Sequence, residues 1–270
     1  MTGISTMAPA PELAVIAVTG AGAHLAAGIS AGLGGSLHLP ARMAGEYDDA
    51  TPYDSLSDQF ARLLDGSKSG IVAVMAQGIV TRMIAPHLQS KYRDPAVVTC
   101  DEVGRFAIST VSGHEGGANH LAHAVASITG ATPVITTATE ANRCHVLGIG
   151  CRRGCSKGAI LHAIRSGCEQ AGITPDRLRL VASAWVKKDE PGLIAAVEEL
   201  GLYLRFFPRS AYENPLYNFT VYDGPKRHLG IAGVAEPSAL LAAVNPRLLL
   251  PRTVIDSVTI AIAQEGLVNA

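Results

Sequence analysis

Short apolar runs and helical repeats alternate along this chain almost from its start. Leu13–Val18 is apolar, rich in β-branched residues and ends at Thr19-Gly20, which predicts a buried strand. A helical pattern follows to Leu33, with Gly34-Gly35 as its stop. Ser36–Leu39 reads as a second strand and residues 40–54 as a polar loop. Leu56, Phe60, Leu63 and Leu64 then recur at helical spacing. Ile71–Met75 predicts a strand, and Ile79–Leu88 a helix with Pro86 near its end. Ala96–Thr99 and Phe106–Ser109 are extended around the turn Asp101-Glu102-Val103-Gly104. Leu121–Ile128 is helical and Pro133–Thr136 extended.

After the polar stretch Glu140–Arg143 the alternation begins again. Val146–Ile149, Leu178–Ser183 and Tyr203–Phe206 predict strands; Lys157–Gln170 and Pro191–Leu200 predict helices between them. Residues 208–228 read as one long loop, residues 236–244 as a helix, and Leu248–Leu250 and Val258–Ala263 as late strands. The expected fold class is therefore α/β: two α/β lobes, each a mostly parallel sheet flanked by helices. The lobes are placed at residues 13–142 and 143–270, behind a disordered tail at residues 1–12. With no long linker between them, they are expected to pack closely.

Bulk composition narrows the function classes. The chain has 270 residues, 48% hydrophobic and 17% charged, enough to bury a sizeable core. A net charge of −1, no basic run and 5% aromatics argue against a nucleic-acid partner. No apolar run reaches membrane-spanning length, and Leu13–Val18 is too short for a signal-peptide core. Five irregularly spaced cysteines suit a reduced cytoplasm.

Several turns carry chemistry. Ser112-Gly113-His114-Glu115-Gly116-Gly117-Ala118-Asn119 lies between a strand and a helix, where glycines let backbone N–H groups approach a ligand. His114 or Glu115 is placed to act as a general base, and Asn119 or backbone N–H groups to stabilise an oxyanion. The bland alternative is a helix cap with Asn119 and His120 solvated; His123 reads as an ordinary helix-surface residue. Thr19-Gly20-Ala21-Gly22-Ala23-His24 sits where a dinucleotide fingerprint would, but Leu25 holds the third glycine position, so a tight turn is the better reading. Arg152-Arg153 between two glycines suits a carboxylate or phosphate. Asp189 or Glu190 is placed to cap the helix opening at Pro191, and Glu236 to cap the helix beside it. Lys187 pointing into an inter-lobe cleft is the functional alternative. Cys144-His145, Cys151 and Cys155 lack zinc-knuckle spacing, and strand alternation is expected to splay Cys144 from His145.

One family unites these stretches. Gly78-Ile79-Val80 with Ile84-Ala85-Pro86, Asp94–Val98, Asp101-Glu102, Ser112-Gly113-His114, Gly116–Asn119 and Ala131–Thr139 resemble the N-terminal module of cobalt-precorrin-5A hydrolases (CbiG) of anaerobic cobalamin biosynthesis. Gly148–Gly154, Lys187, Asp189–Leu193 and Val234-Ala235-Glu236 resemble the C-terminal module, which is shared with CobE of the aerobic route. Two departures stand out. The middle segment usual in the family is absent here, and Glu115 and Cys155 replace an apolar and a hydroxyl residue, so neither inherits a role.

The resemblance implies that water opens a δ-lactone on a cobalt-bearing, acid-rich macrocycle and that acetaldehyde leaves. It also implies no protein-bound cofactor or metal, since the cobalt arrives with the substrate. His114 and Asn119 are then the catalytic candidates. Ser112, Gly113, Gly116, Gly117, Arg152, Arg153, Lys187, Glu190 and Glu236 are the substrate-binding candidates, with an inter-lobe cleft as the expected seat. Neighbouring methyltransferases are possible partners. Rival readings are a non-catalytic corrinoid carrier and, weakest, a nucleotide-binding regulator built on Gly20 and Gly22.

Overall fold

The computed structural model describes residues 12–214 and 219–266, so most of the expected tail lies outside the described residues. The chain divides into two compact units, Met1–Ile135 and Thr136–Ala270.

In the first unit the predicted alternation becomes β1 (Glu12–Ala17), α1 (Gly20–Leu33), β2 (Ser36–Pro40), α2 (Ala41–Ala44), β3 (Thr51–Tyr53), α3 (Leu56–Leu63), β4 (Lys68–Val74) and α4 (Gln77–Ile84). These are followed by β5 (Ala96–Cys100), β6 (Phe106–Val111), α5 (Ala118–Thr129) and β7 (Thr132–Val134). The stretch 40–54, expected as a loop, thus holds a short helix and an edge strand. Tyr53 anchors that strand: its buried hydroxyl donates to Ala17 O at 2.7 Å, and burial raises its pKa to about 12.

The sheet order is β3-β2-β1-β4-β5-β6-β7, parallel except where β6 runs antiparallel to β5. One face buries Ala23, Ala26 and Ile29 of α1 with Ala122 and Val125 of α5. The other buries Phe60, Leu63, Val80 and Ile84 from α3 and α4. Small residues let α1 and α5 lie close. A Cβ at Gly32 would stand 2.7 Å from Ile128 Cδ1, below ordinary contact.

The reversal at β6 decides where the motifs sit. Ala17 pairs with Val74, and Val74 with Cys100, so the Gly20 turn, the start of α4 and Asp101-Glu102 share the carboxyl edge of the parallel strands. Val111 pairs with Val97, so Ser112 emerges at the opposite, amino edge.

The second unit runs α6 (Ala138–Ala141), β8 (His145–Cys151), α7 (Lys157–Gln170), β9 (Leu178–Ala184), α8 (Pro191–Glu199) and β10 (Tyr203–Phe207). It closes with α9 (Arg209–Tyr212), α10 (Asp223–Leu229), α11 (Ala235–Ala242), β11 (Pro246–Ile255) and β12 (Val258–Glu265). The sheet order is β10-β9-β8-β12-β11; β8, β9 and β10 are parallel, while β12 is antiparallel to both its neighbours. The long loop expected at residues 208–228 contains α9 and part of its length is α10, with residues 215–218 outside the described set. Helices α7 and α8 bury Ile160, Ile164, Leu193 and Val197 on one face. On the other, Gly148 is required because a Cβ there would collide with Ala235 O at the start of α11. That contact presses the start of α11 onto β8.

Candidate functional site

Two glycine-rich strand-to-helix turns concentrate the polar residues. The first, after β6, is wound from backbone. Ser112 adopts φ 56°, a left-handed conformation costly for a non-glycine residue. Its carbonyl then accepts from Gly116 N and Ala118 N, both at 3.1 Å, while Gly113 O accepts from Asn119 N at 3.0 Å. The first donors of α5 are thereby used inside the turn. Gly116 fits because a Cβ there would stand 3.0 Å from Ser112 O, and Gly117 takes φ 86° as it enters the helix. Ser112 Oγ is buried with no hydrogen-bond partner among the described residues.

The side chains of this turn separate by burial. Asn119 is fully buried, and its Oδ1 accepts from Ser109 Oγ at 2.8 Å, so it is not a solvated first-turn residue. His114 is exposed. His120 is exposed by area; the protein packed around it still lowers its pKa, desolvation first and His114 second. Glu115 pairs with Lys91 at 2.6 Å on the surface, which lowers its pKa. His123, expected on the helix surface, is only 1% exposed. It shares the sheet-facing stripe of α5 with Asn119, Ala122 and Ala126.

At the carboxyl edge of the same sheet, Thr19 Oγ1 accepts from Gly22 N at 3.1 Å and donates to Glu102 at 2.8 Å. A Cβ on Gly22 would lie 3.2 Å from Val74 O. This turn is closed by its own side chains and by close helix–sheet approach, as a tight turn requires.

The second turn, after β8, is held by side chains from elsewhere. Glu190, 5% exposed, accepts from Gly154 N at 2.7 Å through Oε1 and from Lys187 Nζ at 3.3 Å through Oε2. It occupies the N-cap position of α8 yet makes no capping bond, so the expected helix cap is instead a brace between two turns. Ser156 caps α7 by accepting from Ala159 N. Glu236 likewise caps nothing: buried in the first turn of α11, its Oε2 accepts from Tyr222 OH at 3.1 Å and Arg252 N at 3.3 Å.

Beside this turn, at the carboxyl end of β8, lies a cavity of about 520 Å³ lined entirely by residues of the second unit. Such a volume is in the range of small-molecule sites, and the carboxyl end of parallel strands is where open α/β sheets place them. Arg152, Lys187 and Glu236 line it. Arg153 is exposed and outside that lining, and Glu190 supports it from behind. Tyr222, His228 and Arg252 also line it and were not singled out from the sequence. Arg252 stacks its guanidinium 4.5 Å from the centre of the Tyr222 ring. Contact with Glu236 and burial raise the Tyr222 pKa, burial first.

Among the described residues no group of three or more His, Cys, Asp or Glu is disposed to hold a metal ion. Cys144 Sγ lies 3.7 Å from His145 Nδ1, closer than strand alternation implied, because Cys144 precedes β8 and lies outside its alternation. Burial pushes the Cys151 thiol up to about 11.

Comparison with known proteins follows the two units. Residues 59–140 match the family model for cobalamin synthesis G N-terminal domains (CbiG_N), and residues 145–263 the model for cobalamin synthesis G C-terminal domains (CbiG_C). The chain belongs to the CbiG family. Cobalt-precorrin-5A hydrolase of Salmonella typhimurium is 43% identical over 96 residues, 36% of this chain and 27% of that protein. The Priestia megaterium cobalt-precorrin-5A hydrolase is 48% identical over 77 residues, 28% of this chain and 21% of that one. These matches therefore span about a quarter of the curated relatives' length. Protein CobE of Sinorhizobium sp. is 28% identical over 126 residues, 44% of this chain and 78% of CobE. No described helix is long and apolar enough to cross a membrane.

Proposed function

We propose that this CbiG-family chain hydrolyses cobalt-precorrin-5A, opening its δ-lactone and releasing acetaldehyde. The cavity of the CbiG_C unit carries this reading: it is lined by Arg152, Lys187, His228 and Arg252, which suit an acid-rich macrocycle. Cobalt enters as part of the substrate. In the CbiG_N unit, His114 is an exposed imidazole on a conformationally strained turn, available for proton transfer. Asn119, fully buried and tied to Ser109, positions that turn.

The test is acetaldehyde release from anaerobically prepared cobalt-precorrin-5A. The wild-type chain is expected to release it, and His114→Ala to lower kcat by about 100-fold while stability stays within about 0.5 kcal/mol. Wild-type turnover in His114→Ala removes His114 from the mechanism. The absence of the middle segment usual in the family motivates a second reading, a non-catalytic corrinoid carrier, which requires binding without acetaldehyde.

A further inference from the structure

We infer that Glu236 is the water-activating base of the second unit's cavity; this rests on the hydrolase reading and adds to it a residue role. Two buried carboxylates stand at this cavity, and their surroundings differ. Both oxygens of Glu190 are engaged, one by Gly154 N and one by the Lys187 ammonium. Glu236 is equally buried, at 5% exposure, but takes both its bonds on Oε2. No hydrogen bond from a described residue reaches Oε1, and that atom is not among the sealed, unsatisfied ones. Glu236 lines the cavity, and Oε1 is the oxygen its described partners leave open.

The rest of the geometry fixes this carboxylate in place. Tyr222 OH and Arg252 N hold Oε2, and the Arg252 guanidinium lies over the Tyr222 ring, so both donors come from elements locked to each other. Gly148 allows the backbone of Ala235, next to Glu236, to press against β8. A carboxylate with one oxygen clamped and one free accepts a proton from a water in a defined direction. No cation forms an ion pair with Glu236 among the described residues, while Arg152 and Lys187 line the same cavity. The cavity thus separates an acceptor for water from donors for a developing oxyanion.

The step balances. Glu236 Oε1 takes a proton from water as the water oxygen bonds to the lactone carbonyl carbon. The tetrahedral oxyanion collapses, the acyl–oxygen bond breaks, and the freed alkoxide recovers the proton from Glu236. The products are the macrocycle's acetic acid arm, which ionises to solvent, and an alcohol. As that hydroxyl loses its proton to solvent, the carbon–carbon bond to the ring breaks. Its electron pair stays on the ring carbon, which takes up a proton, and acetaldehyde departs. Glu236 ends as it began.

Glu236→Gln keeps the shape and removes the base. It is expected to lower kcat for acetaldehyde release by about 1,000-fold with KM within threefold. Glu236→Ala is expected to regain at least tenfold of its lost rate in added formate, a response that a purely structural residue would not give. Tyr222→Phe, which loosens Oε2, is expected to lose about tenfold in kcat. Wild-type kcat in Glu236→Gln, or no formate response in a Glu236→Ala protein with an unchanged circular dichroism spectrum, overturns the assignment. A wild-type chain that releases no acetaldehyde overturns the hydrolase reading itself, and the difference is visible before any variant is made.

Discussion

The Ser112 turn and the Gly150 turn solve the same local problem in opposite ways. Each carries a chain from a strand into a helix through glycines. In the first unit the turn folds back on itself: carbonyls of Ser112 and Gly113 satisfy the opening N–H groups of α5, and the local cost is a left-handed serine. In the second, the turn hands an N–H to Glu190, 36 residues away, and Glu190 holds Lys187 as well. A turn closed by its own backbone leaves little room for a ligand and displays the exposed side chain of His114. A turn braced from a distance leaves space beside it, and there the cavity forms. Glycine-rich turns of similar appearance therefore differ in whether the N–H groups they offer are already taken.

That contrast breaks first at Glu190. Glu190→Ala leaves the Lys187 ammonium, 14% exposed, without its carboxylate and Gly154 N without its acceptor. Removing one partner of a largely buried pair costs about 3 kcal/mol, readable as a lower urea midpoint. A change below about 1 kcal/mol would mean that the brace does not hold the turn. The matching change in the first unit acts the other way. Ser112→Gly removes the left-handed penalty, and its expected gain is up to about 1 kcal/mol, because the added freedom of the unfolded chain offsets part of the relief. A loss of stability would show that buried Ser112 Oγ makes a stabilising bond.

The smallest effect is shared by both units. His120 in the first and His145 in the second are held below the ordinary imidazole value by desolvation. The unfolded chain then binds more protons than the folded one between the depressed pKa values and about pH 6.5. Stability is fully present above that pH and declines as pH falls through the window. Urea midpoints measured between pH 8 and pH 5 should fall on acidification, and replacing both histidines with Gln should flatten that slope. A slope unchanged in the double variant would assign the pH dependence to other groups.

Much of the fold was legible because its signals are local. Leu13–Val18, Leu178–Ser183 and Tyr203–Phe206 are strands within a residue of expectation, and Lys157–Gln170 is a helix as read. Where polar composition hid an element, the reading failed. Residues 40–54 conceal α2 and β3, and residues 208–228 conceal α9 and α10, which packing stabilises despite weak periodicity. Tyr222 and His228 were missed with them, and Arg252 because it lies on a strand longer than the apolar run Leu248–Leu250 that announced it. His123 was misread because a histidine suits a helix surface by type, whereas its position puts it against the sheet.

The sequence by itself determined the α/β alternation, the positions of the glycine turns and the CbiG likeness. All three depend on residue order and spacing over short stretches, which local sterics and hydrophobic periodicity translate directly into structure. Only the tertiary structure decided which acids cap helices and which do not. Glu190 and Glu236 stand where caps are expected, yet their partners are Gly154 and Lys187 for one, Tyr222 and Arg252 for the other. A buried carboxylate takes whichever donors the packed elements bring to it, and those donors come from segments that local pattern cannot place side by side.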